Sequence, residues 1–298
     1  MNFKSFIVSV LFVFVTTITF AQANILNAKS PDEIGVRTEE QIALDNDRPL
    51  EYGYVDDRDV LYSRTIWERI ILDERVNFPL YYPIDTFNIG KNRRSLYDVL
   101  IKSIKNGDIE NIYDDSYFST KRTLKDIQAS LVRVDTTELG IEQFNAGESI
   151  SPEYIVKTSI STANIVEYRT KGLYYFDKRL GELRYRLIGI APVAPDVNTL
   201  NDDDVELDLV ELFWVFFPDA RQVLHTAKTF NGKNSAVPLS FDHILNSRRF
   251  SANVYAEENI QGDRKVNEYI SNNALLQLLE SDRIKEKIRD FEQDMWSY

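Results

Sequence analysis

The stretch IVEYRTKGLYYFDKRLGELRYRLIGIAPVAP, residues 165–195, sets the tightest limit on what this chain can fold into. It is dense in β-branched and aromatic residues, and DKRLGE at 177–182 interrupts it. Two such runs around a short polar break read as a long antiparallel hairpin. In the second limb Leu183, Tyr185 and Leu187 alternate with Arg184 and Arg186, so one face is buried and the other is wet or paired with acids. Pro192 and Pro195 are expected to end it. Helical periodicity lies on both sides of this region. The expected class is therefore α+β: a helical N-terminal part, a central antiparallel sheet with a long hairpin, and a C-terminal amphipathic helix.

Upstream, VLYSRTIWERIILDERVN at 60–77 places Ile66, Trp67, Ile70 and Ile71 at helical spacing, so a helix is expected there. Asn77, Pro79 and Pro83 break it, and NFPLYYP is expected to pack rigidly against the body. In RRSLYDVLIKSIKNGD, Ser95 suits an N-cap with Asp98 three residues later. Leu96, Val99, Leu100 and Ile104 line one face of that helix, and Gly107 stops it. A third short helix is expected over 124–131.

Downstream, ELFWVFFPDARQVL at 211–224 changes character midway. The unbroken apolar run Leu212–Phe217 fits a central strand buried on both sides. Pro218 suits the first turn of a following helix, where Asp219 adds a favourable charge. Ala220, Val223, Leu224 and Ala227 give that helix its apolar stripe. LSFDHILNSRRF reads as a short helix and SANVYAE as a strand. From about Asn273, Ile284, Ile288, Phe291 and Met295 mark the last helix.

The N-terminus carries one cation, Lys4, then an apolar run over 6–15 and a small-residue site at Ala21–Ala23. That is the layout of a secretory signal peptide over 1–23. Cleavage between Ala23 and Asn24 is expected, with Ala21 a second position. There is no cysteine, which excludes disulfides, thiolate metal sites and acylation of a cysteine after the leader. The formal charge is −12, and losing Lys4 makes it −13 for the mature chain. So acidic a protein is a poor partner for nucleic acid or an anionic membrane surface. Beyond the leader no apolar run is long enough for direct membrane insertion. Residues 24–59 hold four cations and ten acids with sparse apolar residues, and read as an extended acidic arm. It is either flexible or wraps onto a neighbouring subunit. Residues 60–298 then form a single globular body, with no internal repeat.

The residues show no catalytic signature. His225 and His243 do not stand in a metal-ligand spacing, and neither a G-x-S-x-G elbow nor a phosphate-cradling glycine pattern occurs. The acidic stretch Asn201–Asp208 lacks the spacing of a calcium loop. No cofactor and no metal are expected. Short basic clusters, Lys91 with Arg93 and Arg94 and Arg248 with Arg249, suit acidic faces of another subunit. The turn Asp219–Arg221 is a further candidate for partner contact. On residues alone, a structural subunit, an exported acid-dependent hydrolase and a free ligand-binding module all stay open.

TIWERIILDERVNFPLYYP at 65–83, SLYDVLIKSI at 95–104 and ELFWVFFPDARQVL at 211–224 resemble the GldN/PorN family of gliding motility and the type IX secretion system. The resemblance extends over essentially the whole mature chain. It implies a non-enzymatic periplasmic component held at the inner face of the outer membrane. Implied partners are a GldK/PorK-type outer-membrane lipoprotein, further copies in a ring, and a GldM-type motor protein. The family offers no catalytic residues to carry over.

Overall fold

A computed structural model of the chain describes residue 30 and residues 48–85, 93–200, 208–231 and 239–296. The leader, its cleavage site at Ala23–Asn24, most of the arm and the acidic loop at 201–207 lie outside the described residues. The described part of the body is α+β. In chain order its strands are β1 (Val60–Ile71), β2 (Ile112–Tyr113), β3 (Val132–Thr136), β4 (Ile155–Ser159), β5 (Glu167–Asp177), β6 (Glu182–Pro195), β7 (Leu209–Glu211), β8 (Trp214–Phe216), β9 (Lys228–Thr229), β10 (Leu239–Ser240) and β11 (Asn253–Glu257). The helices are α1 (Phe78–Tyr81), α2 (Leu96–Asn106), α3 (Leu124–Leu131), α4 (Glu138–Asn145), α5 (Phe217–Thr226), α6 (Phe241–Asn246), α7 (Val266–Tyr269) and α8 (Ala274–Trp296). Seven strands form one antiparallel sheet in the order β11-β1-β5-β6-β8-β2, with β7 also paired to β6.

The hairpin of β5 and β6 is the centre of this sheet, in register from Glu167↔Val193 to Asp177↔Glu182 around one irregularity. Pro192 does not end β6, which runs to Pro195. Proline is tolerated there because the neighbouring chain is interrupted. β7 and β8 pair with β6 on either side of Pro192, and between them Leu212 donates its N–H to the Pro192 carbonyl at 3.0 Å.

Residues 60–71 form a strand, not the expected helix. β1 lies between β5 and β11, paired with β5 from Val60↔Asp177 to Ile71↔Glu167. Ile66, Trp67, Glu68 and Ile70 are all buried, because the strand is covered on both faces. A strand buried on both faces loses its period-two signature, and tertiary pairing overrides what local spacing suggests.

Three helix expectations hold closely. Ser95 caps α2, accepting from the Asp98 N–H at 3.2 Å, and Gly107 ends it at φ +83°. The Asp98 carboxylate turns to Arg94 and Lys102 rather than back to the cap. Residues 124–131 are α3, with a reciprocal capping box between Thr123 and Asp126. Pro218 and Asp219 stand in the first turn of α5. The apolar run before it is buried as expected, except for half-buried Phe216, yet only Trp214–Phe216 is strand.

The core lies on one face of the sheet, where Tyr168, Leu187 and Ile190 meet Leu96 and Leu100 of α2, Phe217 and Leu224 of α5, and Phe241 and Leu245 of α6. Ile284 and Ile288 of α8 cover Ile66 and Val254 on the β11 side. Among the described residues no helix is long and apolar enough to cross a membrane. Residues 49–59 belong to the same compact unit as the rest of the body, and that unit begins at Pro49.

Candidate interaction surface

The second face of the sheet is built differently. The register sets Trp67 opposite Lys171 and Arg69 opposite Arg169, so cations and aromatics share this face. Trp67 and Trp214 are buried against the small residues Ala191 and Ala256, with Tyr113, Phe118 and Tyr255 packed around them. Lys171 Nζ stands 4.9 Å from the Trp67 ring centroid and 4.6 Å from that of Tyr117, and donates to the Ser116 carbonyl at 3.0 Å. Burial lowers the pKa of Lys171, which Asp263, Glu258 and Asp115 partly offset. Such cation–aromatic contacts strengthen as water is excluded.

Beside this cluster a groove of about 630 Å³ opens between the β11 edge of the sheet and the start of α8. Arg69, Arg169 and Lys265 line it, together with Asn253, Tyr255 and Leu278. Arg169 is already neutralised, donating to Glu167 at 3.0 Å and to Glu211 at 2.5 Å. Glu211 in turn accepts from the Trp214 indole at 2.5 Å. Arg69 has no ion pair or hydrogen bond from its side chain among the described residues, and its buried Nε is unsatisfied. Lys265 is exposed.

The first turns of α8 continue this surface outward. Leu275, Leu276, Leu278 and Leu279 are 66%, 47%, 43% and 54% exposed, so the helix start is apolar on the side that meets water. Exposed apolar surface of this kind is a common feature of interaction sites. Periodicity in α8 predicted its buried stripe at Ile284 and Ile288. The leucine tetrad was not singled out, because leucines at a helix start carry no sign of which side the body covers.

The contact residues expected from sequence differ in exposure and in partners. Asp219 is exposed and accepts from Asn111 Nδ2 at 2.7 Å. Arg221 is internal: its guanidinium donates to Asp242 at 2.8 and 3.2 Å and lies 4.2 Å from the centroid of the Tyr52 ring. It therefore holds the chain's own parts together rather than facing outward. Arg93 is exposed over the ring of Phe230, at 4.8 Å from its centroid, and Arg94 pairs with Asp98 at 3.5 Å. Arg248, offered by sequence as part of a basic cluster, makes a bidentate pair with buried Glu68 at 2.7 and 2.8 Å. His243 is exposed and His225 half-buried, on α6 and α5.

The end of the arm is tied down. Tyr52 donates to Asn246 at 2.7 Å and stacks on Arg186 and Arg221, and the Gly53 and Tyr54 carbonyls accept from Arg186 and Arg179, each at 2.9 Å. Nothing in the sequence of 48–59 announces this, since each anchor comes from a distant element.

The family model for gliding motility associated protein GldN matches residues 55–297, which is nearly the whole body. The chain belongs to the GldN family. Membership makes it a component of the gliding motility and type IX secretion machinery. No curated protein matches the chain. The GldN match begins at Val55, just after the Tyr52 anchor, and so covers every strand and helix described above.

Proposed function

We propose that this chain is a non-enzymatic structural subunit of the periplasm, exported by its leader and assembled in a ring with an outer-membrane lipoprotein of the GldK/PorK type. A GldM-type motor protein is a further neighbour in this reading. The observation that carries it is the GldN match across residues 55–297. The use of the buried charges supports it. Glu68, Glu167, Asp177 and Asp242 each neutralise an arginine of this chain, respectively Arg248, Arg169, Arg179 and Arg221. Carboxylates spent on internal ion pairs serve architecture. The uncovered leucines of α8, the exposed Asp219 and Arg93, and the groove leave surface for neighbours.

The test is size determination of material purified from the native envelope after gentle detergent extraction, with mass spectrometry of what accompanies it. A large particle containing a lipoprotein is expected. A lone species near the mass of the mature chain overturns the reading and favours a free binding module or a hydrolase.

A further inference from the structure

We infer that the groove between β11 and the start of α8 receives residues 24–47 of the acidic arm of a second copy of this chain. This deepens the ring reading and rests on it. The groove presents two kinds of chemistry side by side. Arg69, without a partner among the described residues, and the exposed Lys265 offer positive charge, while Leu278 leads onto the exposed leucines of α8. A buried guanidinium nitrogen without an acceptor carries a desolvation cost that an incoming carboxylate removes.

The arm has the matching composition. Over 24–47 it holds six acids, Asp32, Glu33, Glu39, Glu40, Asp45 and Asp47, against Lys29 and Arg37. Apolar residues are interleaved with them: Ile34 and Val36, then Ile42 and Leu44 beside the pair Glu39–Glu40. An occupant of this groove needs both carboxylates and aliphatic side chains within a short span, and this segment supplies both.

A ring needs two unlike surfaces on each chain that fit each other, so that the contact passes head to tail until it closes. The arm and the groove are such a pair. The body's first residues, 52–54, are anchored on Arg186 of β6 and on Arg179, just past the Asp177 end of β5, while Glu167 and Arg169 line the groove at the other end of β5. The 52–54 anchor and the groove are therefore at different ends of β5 on the described body.

The experiment uses the full mature chain, with a photo-crosslinking amino acid at Ile42, in an equal mixture of isotopically heavy and light copies assembled with the envelope lipoprotein fraction. Crosslinks between heavy and light copies are expected, landing within residues 253–278. Lys265→Glu and Arg69→Gln should each cut that yield by about tenfold, as expected for loss of a charge contact at an interface. Adding Glu39→Lys and Glu40→Lys to Lys265→Glu should restore it. Lys265 is exposed, so its variant tests the contact even where Arg69→Gln impairs folding. Crosslinks confined to one copy, or landing outside the groove in an assembled particle, overturn the arm–groove contact and leave the ring reading standing. A wild-type chain that stays monomeric with the lipoprotein fraction overturns both.

Discussion

Glu68 sits in the middle of β1 at 1% exposure, and Arg248 closes a bidentate pair on it beneath the Tyr185 ring. Removing one partner of such a pair strands the other charge away from water. Arg248→Ala should cost about 3 kcal/mol, the low end for a buried pair because the arginine keeps part of its side chain in water. Urea unfolding checks this, and Glu68→Gln combined with Arg248→Met should recover much of the loss. Tyr52 supplies a pH signature. Burial pushes its phenol from 10.0 up to about 12, with Arg221 pulling the other way. The unfolded phenol therefore ionises first as pH rises. The stability held by neutral Tyr52 is complete below pH 10.0 and falls away as pH climbs towards about 12. Comparing wild type with Tyr52→Phe across that window by thermal unfolding should show a slope that the variant lacks. Neither residue's role was legible beforehand. Arg248 read as charge for another subunit's acidic face and Tyr52 as part of an arm either flexible or wrapped onto a neighbour, because their partners are 180 and 194 residues away in sequence.

At the scale of elements, capping and turn chemistry were readable, and pairing between strands distant in the chain was not. Ser95, Gly107, Pro218 and Asp219 act through neighbours within a few residues, so the start and stop of α2 and the start of α5 followed directly, and the span of α3 was read correctly without its Thr123 cap. Ser95→Ala should cost about 1 kcal/mol, measurable by denaturant midpoint with an unchanged slope. The hairpin was legible for a similar reason, since its two limbs adjoin. β1 was misread because Ile66, Trp67, Glu68 and Ile70 are covered from both faces by elements far along the chain. Gly172 shows what such packing demands. A Cβ there would lie 2.1 Å from the Tyr185 hydroxyl and 2.3 Å from its ring, and that ring is held by Glu68 and Arg248. Gly172→Ala should therefore destabilise by about 1–3 kcal/mol through overpacking, read as a lowered midpoint in urea.

At the scale of the whole molecule, positive charge and exposed apolar surface adjoin at one place. The chain carries a formal −12, yet Arg69 and Lys265 gather in one groove beside exposed leucines. An association built on such a contact has a screened electrostatic part and an apolar part. Raising salt from about 0.05 to 0.5 M should weaken self-association without abolishing it, because screening acts on the exposed charges and leaves leucine burial intact. Sedimentation velocity of the mature chain at several salt concentrations checks this. Replacing Leu275 and Leu279 by serine should weaken association at every salt concentration, while the melting temperature stays close to that of wild type, since both side chains are already in water.

The sequence by itself determined the α+β class, the Ser95 and Gly107 ends of α2, the Pro218 start of α5, the central hairpin and the acidic, cysteine-free character, and its likeness to GldN was visible in three short stretches. Each of these rests on composition or on residues close together in the chain. Only the tertiary structure decided that residues 60–71 are a central strand, that Arg221 and Arg248 turn inward, and that Arg69 stands beside the leucines of α8 without a partner among the described residues. Those outcomes depend on which side of each element the rest of the body covers. Covering is a property of packing between distant segments, and no local pattern records it.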